Sequence, residues 1–401
     1  MYYFPFLGRF LNLFSKILNL LYNGFVIMQL RWNMEQAVST LITWYRENKR
    51  PLPWRIEPSP YHVWISEIML QQTRIEAVIS YYFRFIEQLP TVFDLACVDE
   101  DKLLKLWEGL GYYNRARNLK KAAQIIVEQY HGEFPSTYSA ILALPGIGEY
   151  TASAIASICF SEPQVTIDGN VLRVYMRVYD CYENIDSLAT RKRVRQRLMT
   201  MIPRQAGEFN QALMELGEMI CIPRGVPKCR ICPLHDVCLS RKNHTFLSLP
   251  VRSPKKEKQV ENYTVLLIKN RDKYAICQRD DTGLLANMWQ FPMLPDDYSQ
   301  EEVRGYLNDC GYTVSSLRMA ISYTHIFTHK KWKMTSYRIE IDSGSMVSEP
   351  TKEKCCWASL DELVSKYAIP SAFLPFLNFL IDNDEAGPFS ERKIEENIKM
   401  E

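Results

Sequence analysis

Apolar residues in the first part of the chain recur at helical spacing. In 61–72 they fall at Tyr61, Trp64, Ile65, Ile68 and Met69, the i, i+3, i+4, i+7, i+8 stripe of an amphipathic helix. Similar patterning runs over 34–240, where Pro90, Pro135, Pro145 and Pro163 cut it into short helices. Beyond it the period changes. Tyr263-Thr-Val-Leu-Leu-Ile268 and Tyr274-Ala-Ile-Cys277 predict two strands joined by a polar turn around Arg271-Asp272, and strand-like runs follow at 321–327 and 334–341. The pattern therefore predicts a multidomain protein, with an all-α domain over 34–240 and an α+β domain over 259–380. The intervening 241–258 holds Arg241, Lys242, Arg252, Lys255, Lys256 and Lys258 with Pro250 and Pro254, a solvated basic linker. Residues 381–401 read as a polar tail, and no internal repeat is present.

The start of the chain is of another kind. Residues 17–30 form an uncharged, mostly apolar run between Lys16 and Arg31, interrupted by Asn19, Asn23 and Gln29. That run is shorter than the about 20 residues a membrane span needs. It also lacks the small-residue cleavage site of a signal peptide. Residues 1–33 are accordingly expected to be an extension outside the fold, with Met34 opening the regular sequence and no membrane partner.

Composition narrows the classes. With 47% hydrophobic and 23% charged residues over 401 positions, the chain has enough apolar material for two or three cores, which excludes wholesale disorder. Its 48 Lys and Arg against 46 Asp and Glu leave a net charge of +2, so any nucleic-acid surface must be local. Eleven cysteines are odd in number and too sparse for a disulfide scaffold. Four of them crowd together as Cys221-x7-Cys229-x2-Cys232-x5-Cys238, a spacing that can wrap one centre, either zinc or a 4Fe–4S cube, in a reducing compartment.

Two further patterns carry chemistry. Leu144-Pro-Gly-Ile-Gly148 precedes an apolar helix beginning Glu149-Tyr150-Thr151-Ala152. Gly146 and Gly148 would let backbone amides approach a phosphate at the positive end of that helix, as in a helix–hairpin–helix. Glu67 sits at the edge of the 61–72 stripe, where desolvation raises a carboxyl pKa and holds a proton for general acid work. Asp168, in Val165-Thr-Ile-Asp-Gly-Asn-Val-Leu-Arg173, follows an extended segment at a candidate helix N-terminus, which favours its ionised form. A helix cap and a salt bridge would account for the same two acids.

Together these residues resemble the adenine DNA glycosylase family of the helix–hairpin–helix glycosylases. The resemblance spans roughly 34–380 and rests on the glycine turn, Asp168-Gly-Asn170 and the cysteines. It extends to Leu52-Pro-Trp-Arg55, Ser66-Glu-Ile-Met-Leu-Gln-Gln-Thr73, Trp107-Glu-Gly-Leu-Gly-Tyr-Tyr113, Gly283-Leu-Leu-Ala-Asn-Met-Trp-Gln-Phe-Pro292 and Phe327-Thr-His329. It implies a helix–hairpin–helix domain with a 4Fe–4S cluster loop, a Nudix-like carboxy-terminal domain, and excision of adenine opposite 8-oxoguanine or guanine in duplex DNA. Glu67 would be the acid that protonates the flipped adenine, and Asp168 would stay ionised and stabilise the oxocarbenium-like sugar. Tyr150 and Asn170 would position Asp168 and the sugar, while Arg55 and Gln211 would line the adenine pocket. Gln72 and Tyr112 would wedge into the base stack, Thr73 would contact the opposing strand, and Phe327, Thr328 and His329 would read the lesion. Cys221, Cys229, Cys232 and Cys238 would hold the cluster.

Departures from the family pattern matter too. Endonuclease III-like relatives place a Schiff-base lysine where this chain has Tyr150, which implies a monofunctional hydrolase. Thr328 stands where the family often has serine. The stretch Glu301–Gly311 lacks the carboxylate-rich metal helix of Nudix hydrolases. The first cysteine gap holds seven residues, Ile222 through Lys228, against the usual six, and the extra one is expected to bulge out in a loop bearing Pro223, Gly225 and Pro227. Two other readings share parts of the pattern. A thymine or uracil glycosylase is disfavoured by Tyr150 and the Phe327 loop, and a catalytically dead damage-binding protein by the pair Glu67 and Asp168. A cytoplasmic bacterial monomer is the expected setting.

Overall fold

The structure is a computed structural model, and it describes residues 35–56, 58–254, 257–342 and 355–383. The extension over 1–33, Lys255 and Lys256 of the linker, and the tail beyond 383 lie outside the described residues. The helices in chain order are α1 (35–48), α2 (Pro53–Ile56), α3 (Pro60–Met69), α4 (Ile75–Gln88), α5 (Val92–Cys97), α6 (Glu100–Leu106), α7 (Asn114–Tyr130) and α8 (Tyr138–Leu142). They continue with α9 (Glu149–Phe160), α10 (Gly169–Val178), α11 (Leu188–Met199), α12 (Ala206–Met219), α13 (Leu239–Lys242), α14 (Gln300–Asp309), α15 (Leu360–Ser365) and α16 (Leu374–Asn383). Two compact units result. One takes the described residues up to Gln71 with Gln129–Pro254, and the other takes Gln72–Glu128 with the described residues from 257 onward. No helix among the described residues is long and apolar enough to cross a membrane.

The first unit is helical. Its core joins Leu41 and Tyr45 of α1 to Val171, Leu172 and Val174 of α10 and Phe209, Leu213 and Leu216 of α12. Ser59 caps α3 by accepting from His62 N, and Pro60 opens the helix where its missing N–H costs nothing. The helix ends at Met69 rather than running to 72, and Gln72 takes a left-handed backbone with φ 61°. Nor is α3 a one-sided stripe, because Val63, Ser66 and Glu67 are buried along with Trp64, Ile65, Ile68 and Met69. The Gly-x-Gly turn joins α8 to α9: Gly146 has φ 76°, a conformation that favours glycine, and Gly148 is the α9 N-cap. The linker is fastened down at its start. Val251 O accepts from Ile185 N at 3.1 Å, and Ser253 N donates to Asp186 Oδ2 at 2.9 Å.

The second unit is built around a seven-stranded sheet: β1 (Gln259–Asn270), β2 (Lys273–Gln278), β3 (Trp289–Gln290), β4 (Met293–Pro295), β5 (Val314–Ile326), β6 (Lys330–Ile341) and β7 (Cys355–Ser359). The order is β3-β2-β1-β6-β5, with β4 on β1 and β7 on β2, and β1 runs parallel to β6. Both faces of β1 are covered. Val265 and Leu267 join Trp332, Phe373 and Phe376 in one core, while Leu266 and Ile268 join Val303, Leu307 and Ile339 in another. A strand buried on both faces reads as an unbroken apolar run, which is why Thr264-Val-Leu-Leu-Ile268 lacks alternation. Cys277 and Cys355 face each other across β2 and β7 and are disulfide-bonded. With the two cysteines 78 positions apart, the register reveals the pair and the sequence does not.

Candidate active site

Glu67 lies on the fully packed part of α3, 7% exposed. Burial raises its carboxyl to about 7, and the nearby Asp168 charge pushes the same way, while the Tyr150 hydroxyl bond and the Arg55 charge pull it down. The acid is thus poised to hold and release a proton near neutrality. Tyr150, in the first turn of α9, also reaches Met214 Sδ at 3.2 Å, and burial raises its phenol well above the usual range.

Asp168 is the N-cap of α10, as its sequence position suggests. Its Oδ1 accepts from Val171 N at 2.7 Å and its Oδ2 from Asn170 Nδ2 at 2.9 Å. Burial nevertheless raises this carboxyl, opposed by those bonds and by the Arg173 charge. Asn170 is held in turn: Arg173 Nη2 donates to its Oδ1 and to Gly217 O, both at 2.8 Å, and Arg173 Nε donates to Cys221 O at 2.7 Å. A Cβ on Gly217 would lie 2.6 Å from Asn170 Cβ, so only glycine lets α12 approach this closely. Asn170 therefore positions Asp168, whereas Tyr150 bonds Glu67.

Arg55 and Gln211 do come together, through partners the sequence did not single out. Arg55 Nη2 donates to Glu215 Oε2 at 2.8 Å, and its guanidinium lies 5.7 Å from the Tyr45 ring centroid. The Tyr45 hydroxyl donates to Gln211 Oε1 at 2.9 Å. Glu215 stands four residues after Gln211 on α12, one turn along the same face. That spacing was the available signal.

All four cysteines of the cluster motif line one cavity with Val174, Arg177 and Leu216. Arg177 Nη1 lies 3.3 Å from Cys221 Sγ, and burial pushes the Cys232 thiol to about 12, with the other three thiols adding repulsion. No group of three or more His, Cys, Asp or Glu among the described residues is arranged to chelate a single ion. Four thiols around a shared cavity supply the donor chemistry that an iron–sulfur cluster requires. In the long first gap, Pro223 through Val226 are exposed and Pro227 is buried, so the additional length faces outward.

In the second unit, Gln72, Tyr112 and Thr328 form one chain of contacts. The Tyr112 hydroxyl donates to Gln72 Oε1 at 2.8 Å and meets the Thr328 hydroxyl. Gln72 and Tyr112 are both left-handed, at φ 61° and 48°, a conformation that costs about 1–3 kcal/mol in a non-glycine residue. Tyr112 is 48% exposed and Tyr113 is core. Phe327, Thr328 and His329 form the turn between β5 and β6. Phe327 packs edge-on against Trp332 at 4.7 Å, which leaves Thr328 and His329 exposed. Thr73 is partly buried beside Gln72. In α14, Glu302 is consumed by a capping box with Ser299.

Family models match two stretches of the chain: the HhH-GPD superfamily base excision DNA repair protein over 65–204 and the NUDIX domain over 263–378. The adenine DNA glycosylase of Buchnera aphidicola subsp. Baizongia pistaciae is 33% identical over 325 residues, covering 80% of this chain and 90% of that protein. The adenine DNA glycosylase of Mus musculus is 32% identical over 393 residues, covering 82% of this chain and 76% of the mouse protein. A solved thermostable thymine-DNA glycosylase aligns with a TM-score of 0.48 at 29% identity, over 53% of this chain and 97% of that one. With a buried acid on α3, a capping aspartate on α10 and relatives aligned over four-fifths of its length, the chain belongs to the adenine DNA glycosylase family.

Proposed function

We propose that this DNA glycosylase of base excision repair hydrolyses the bond between adenine and deoxyribose where adenine is mispaired with 8-oxoguanine or guanine. The observation that carries the reading is Glu67, a buried carboxyl raised to about 7 beside Asp168. Adenine first leaves the stack, at a cost of a few kcal/mol. Glu67 then gives its proton to a ring nitrogen of the base, and the C1′–N9 bond breaks with its electron pair leaving on adenine. Asp168, held by Val171 N and Asn170, stabilises the cationic sugar. Water adds to C1′ and its proton passes to Glu67, which restores the acid. With Tyr150 in place of a lysine, no amine is offered to the sugar, and the product is an intact strand with an abasic site.

Gln72 and Tyr112 fill the gap left by the flipped base, Thr73 contacts the opposing strand, and Phe327, Thr328 and His329 address the opposite base. Gly146 and Gly148 present the hairpin amides to a phosphate. Cys221, Cys229, Cys232 and Cys238 would hold a 4Fe–4S cluster. When bound, that cluster supplies a cross-link for the loop over 221–238 and no step of the hydrolysis.

Strand cleavage after alkali tests the reading on duplexes carrying A opposite 8-oxoguanine, A opposite G, T opposite G and U opposite G. The first two are expected to break only after alkali and the last two to survive. Breakage at T or U, or breakage without alkali, would overturn it. The same preparation should be brown and carry about four irons with sulfur-to-iron absorption. Colourless, active protein with one zinc would refute the cluster.

A further inference from the structure

Glu215 has a side chain only 1% exposed, yet it serves two arginines. Its Oε1 accepts from Arg50 N at 3.1 Å and Arg50 Nε at 2.7 Å, and its Oε2 from Arg50 Nη2 at 3.1 Å and Arg55 Nη2 at 2.8 Å. Burial works against its charge. The bonds from Arg50 and Arg55, with the Arg55 charge, outweigh that and hold the carboxyl at about 2, so Glu215 is ionised at any working pH. Arg55 is thereby pinned over the Tyr45 ring, whose hydroxyl holds Gln211.

We propose that Glu215 is a positioning residue of adenine excision, fixing the Arg55 guanidinium at the base pocket and cancelling its positive charge as felt by Glu67. The proposal rests on the glycosylase reading. Its argument is electrostatic. An uncompensated guanidinium near a buried acid favours the carboxylate and so removes the proton the reaction needs. The other groups that face Glu67 are Tyr150 and Cys159 of α9 and Asp168 before α10. Burial keeps the Tyr150 phenol and the Cys159 thiol neutral in the working range, the thiol at about 12. Arg55 and Asp168 are thus the charges that matter, and Glu215 governs the first.

Single-turnover excision by the full chain between pH 5.5 and 8.5 tests this in wild type, Glu215→Gln, Glu215→Asp, Arg55→Gln and the double variant Arg55→Gln/Glu215→Gln. The Glu215→Gln profile should move about one pH unit to the acid side, so its deficit at pH 8 should be about fivefold larger than at pH 6. Glu215→Asp should restore the wild-type midpoint. Arg55→Gln should move the midpoint to the alkaline side, and the double variant should return it towards wild type. These last two keep the test intact if Glu215→Gln does not fold. Rates lowered by one factor at every pH, or an Arg55→Gln midpoint equal to wild type, would overturn the proposal and leave Glu215 a structural ion pair. A wild-type chain that releases no adenine would overturn the glycosylase reading as well, and the two failures are distinct.

Discussion

Glu67→Gln will bind a duplex with adenine opposite 8-oxoguanine and leave the base attached. The amide matches the carboxyl in shape but has no acidic proton to give, and loss of a general acid costs about 10²–10⁴ in rate. More than a few per cent of the wild-type single-turnover rate would sink the assignment. The pH dependence carries the same information. With Glu67 as the proposed acid, active when protonated, and its carboxyl at about 7, wild-type rate should be level below that value and fall tenfold per unit above it. The residual rate of the variant should lack this limb. Stability should move the other way. A folded-state value raised from 4.5 to about 7 means that Glu67 costs nothing below the unfolded value and that its cost is complete above the folded one. The full cost is about 3 kcal/mol. Glu67→Gln is therefore expected to melt no lower than wild type at pH 8.

Asp168→Asn separates the two roles that Asp168 combines. Asparagine is as good an N-cap as aspartate, so the bond from Val171 N survives and α10 keeps its start. What is lost is the negative charge, together with the bond from Asn170 Nδ2, since Arg173 holds the Asn170 oxygen and prevents a compensating flip. The cost to folding should be about 1 kcal/mol in urea denaturation. The cost to catalysis should be far larger, about 10²–10³, because a fixed charge facing a developing cation is worth that much in a desolvated site. Should the variant keep a tenth or more of the wild-type rate, Asp168 would be a helix cap and nothing else.

Much of this site is legible in the sequence because its signals are local. The stripe through Trp64, Ile65 and Ile68 places Glu67 on a buried helix, and Asp168 before Gly169 announces a cap. The strands at 263–268 and 274–277 follow from apolar runs flanking a polar turn. What escapes is set by contacts between distant positions. Nothing local tells that Glu215 meets Arg50 and Arg55, or that Tyr45 meets Gln211, 166 residues away. The parallel pairing of β1 with β6 and the Cys277–Cys355 bond are likewise decided by register between remote strands. The end of α3 escapes for another reason. Gln71 and Gln72 suit a helix by propensity, and the left-handed turn at Gln72 overrides it.

The second unit is assembled from two stretches of chain that synthesis delivers far apart in time. Glu108 Oε1 accepts from Ile369 N at 2.8 Å, Lys105 Nζ donates to Tyr367 O at 3.0 Å, and Arg117 donates to Ala286 O. Residues 72–128 therefore leave the ribosome well before the partners that complete their hydrogen bonds. At about 5–20 residues per second, Ile369, 261 positions after Glu108, takes some tens of seconds to follow. During that interval the polar ends of α6 and α7 must be served by water, while the remaining helices of the first unit, α8 to α13, are completed by residue 242 and can pack. Ribosome-bound chains arrested before 286 should accordingly show proteolytic protection in 129–254 earlier than in 72–128, an order imposed by topology rather than by the stability of either unit.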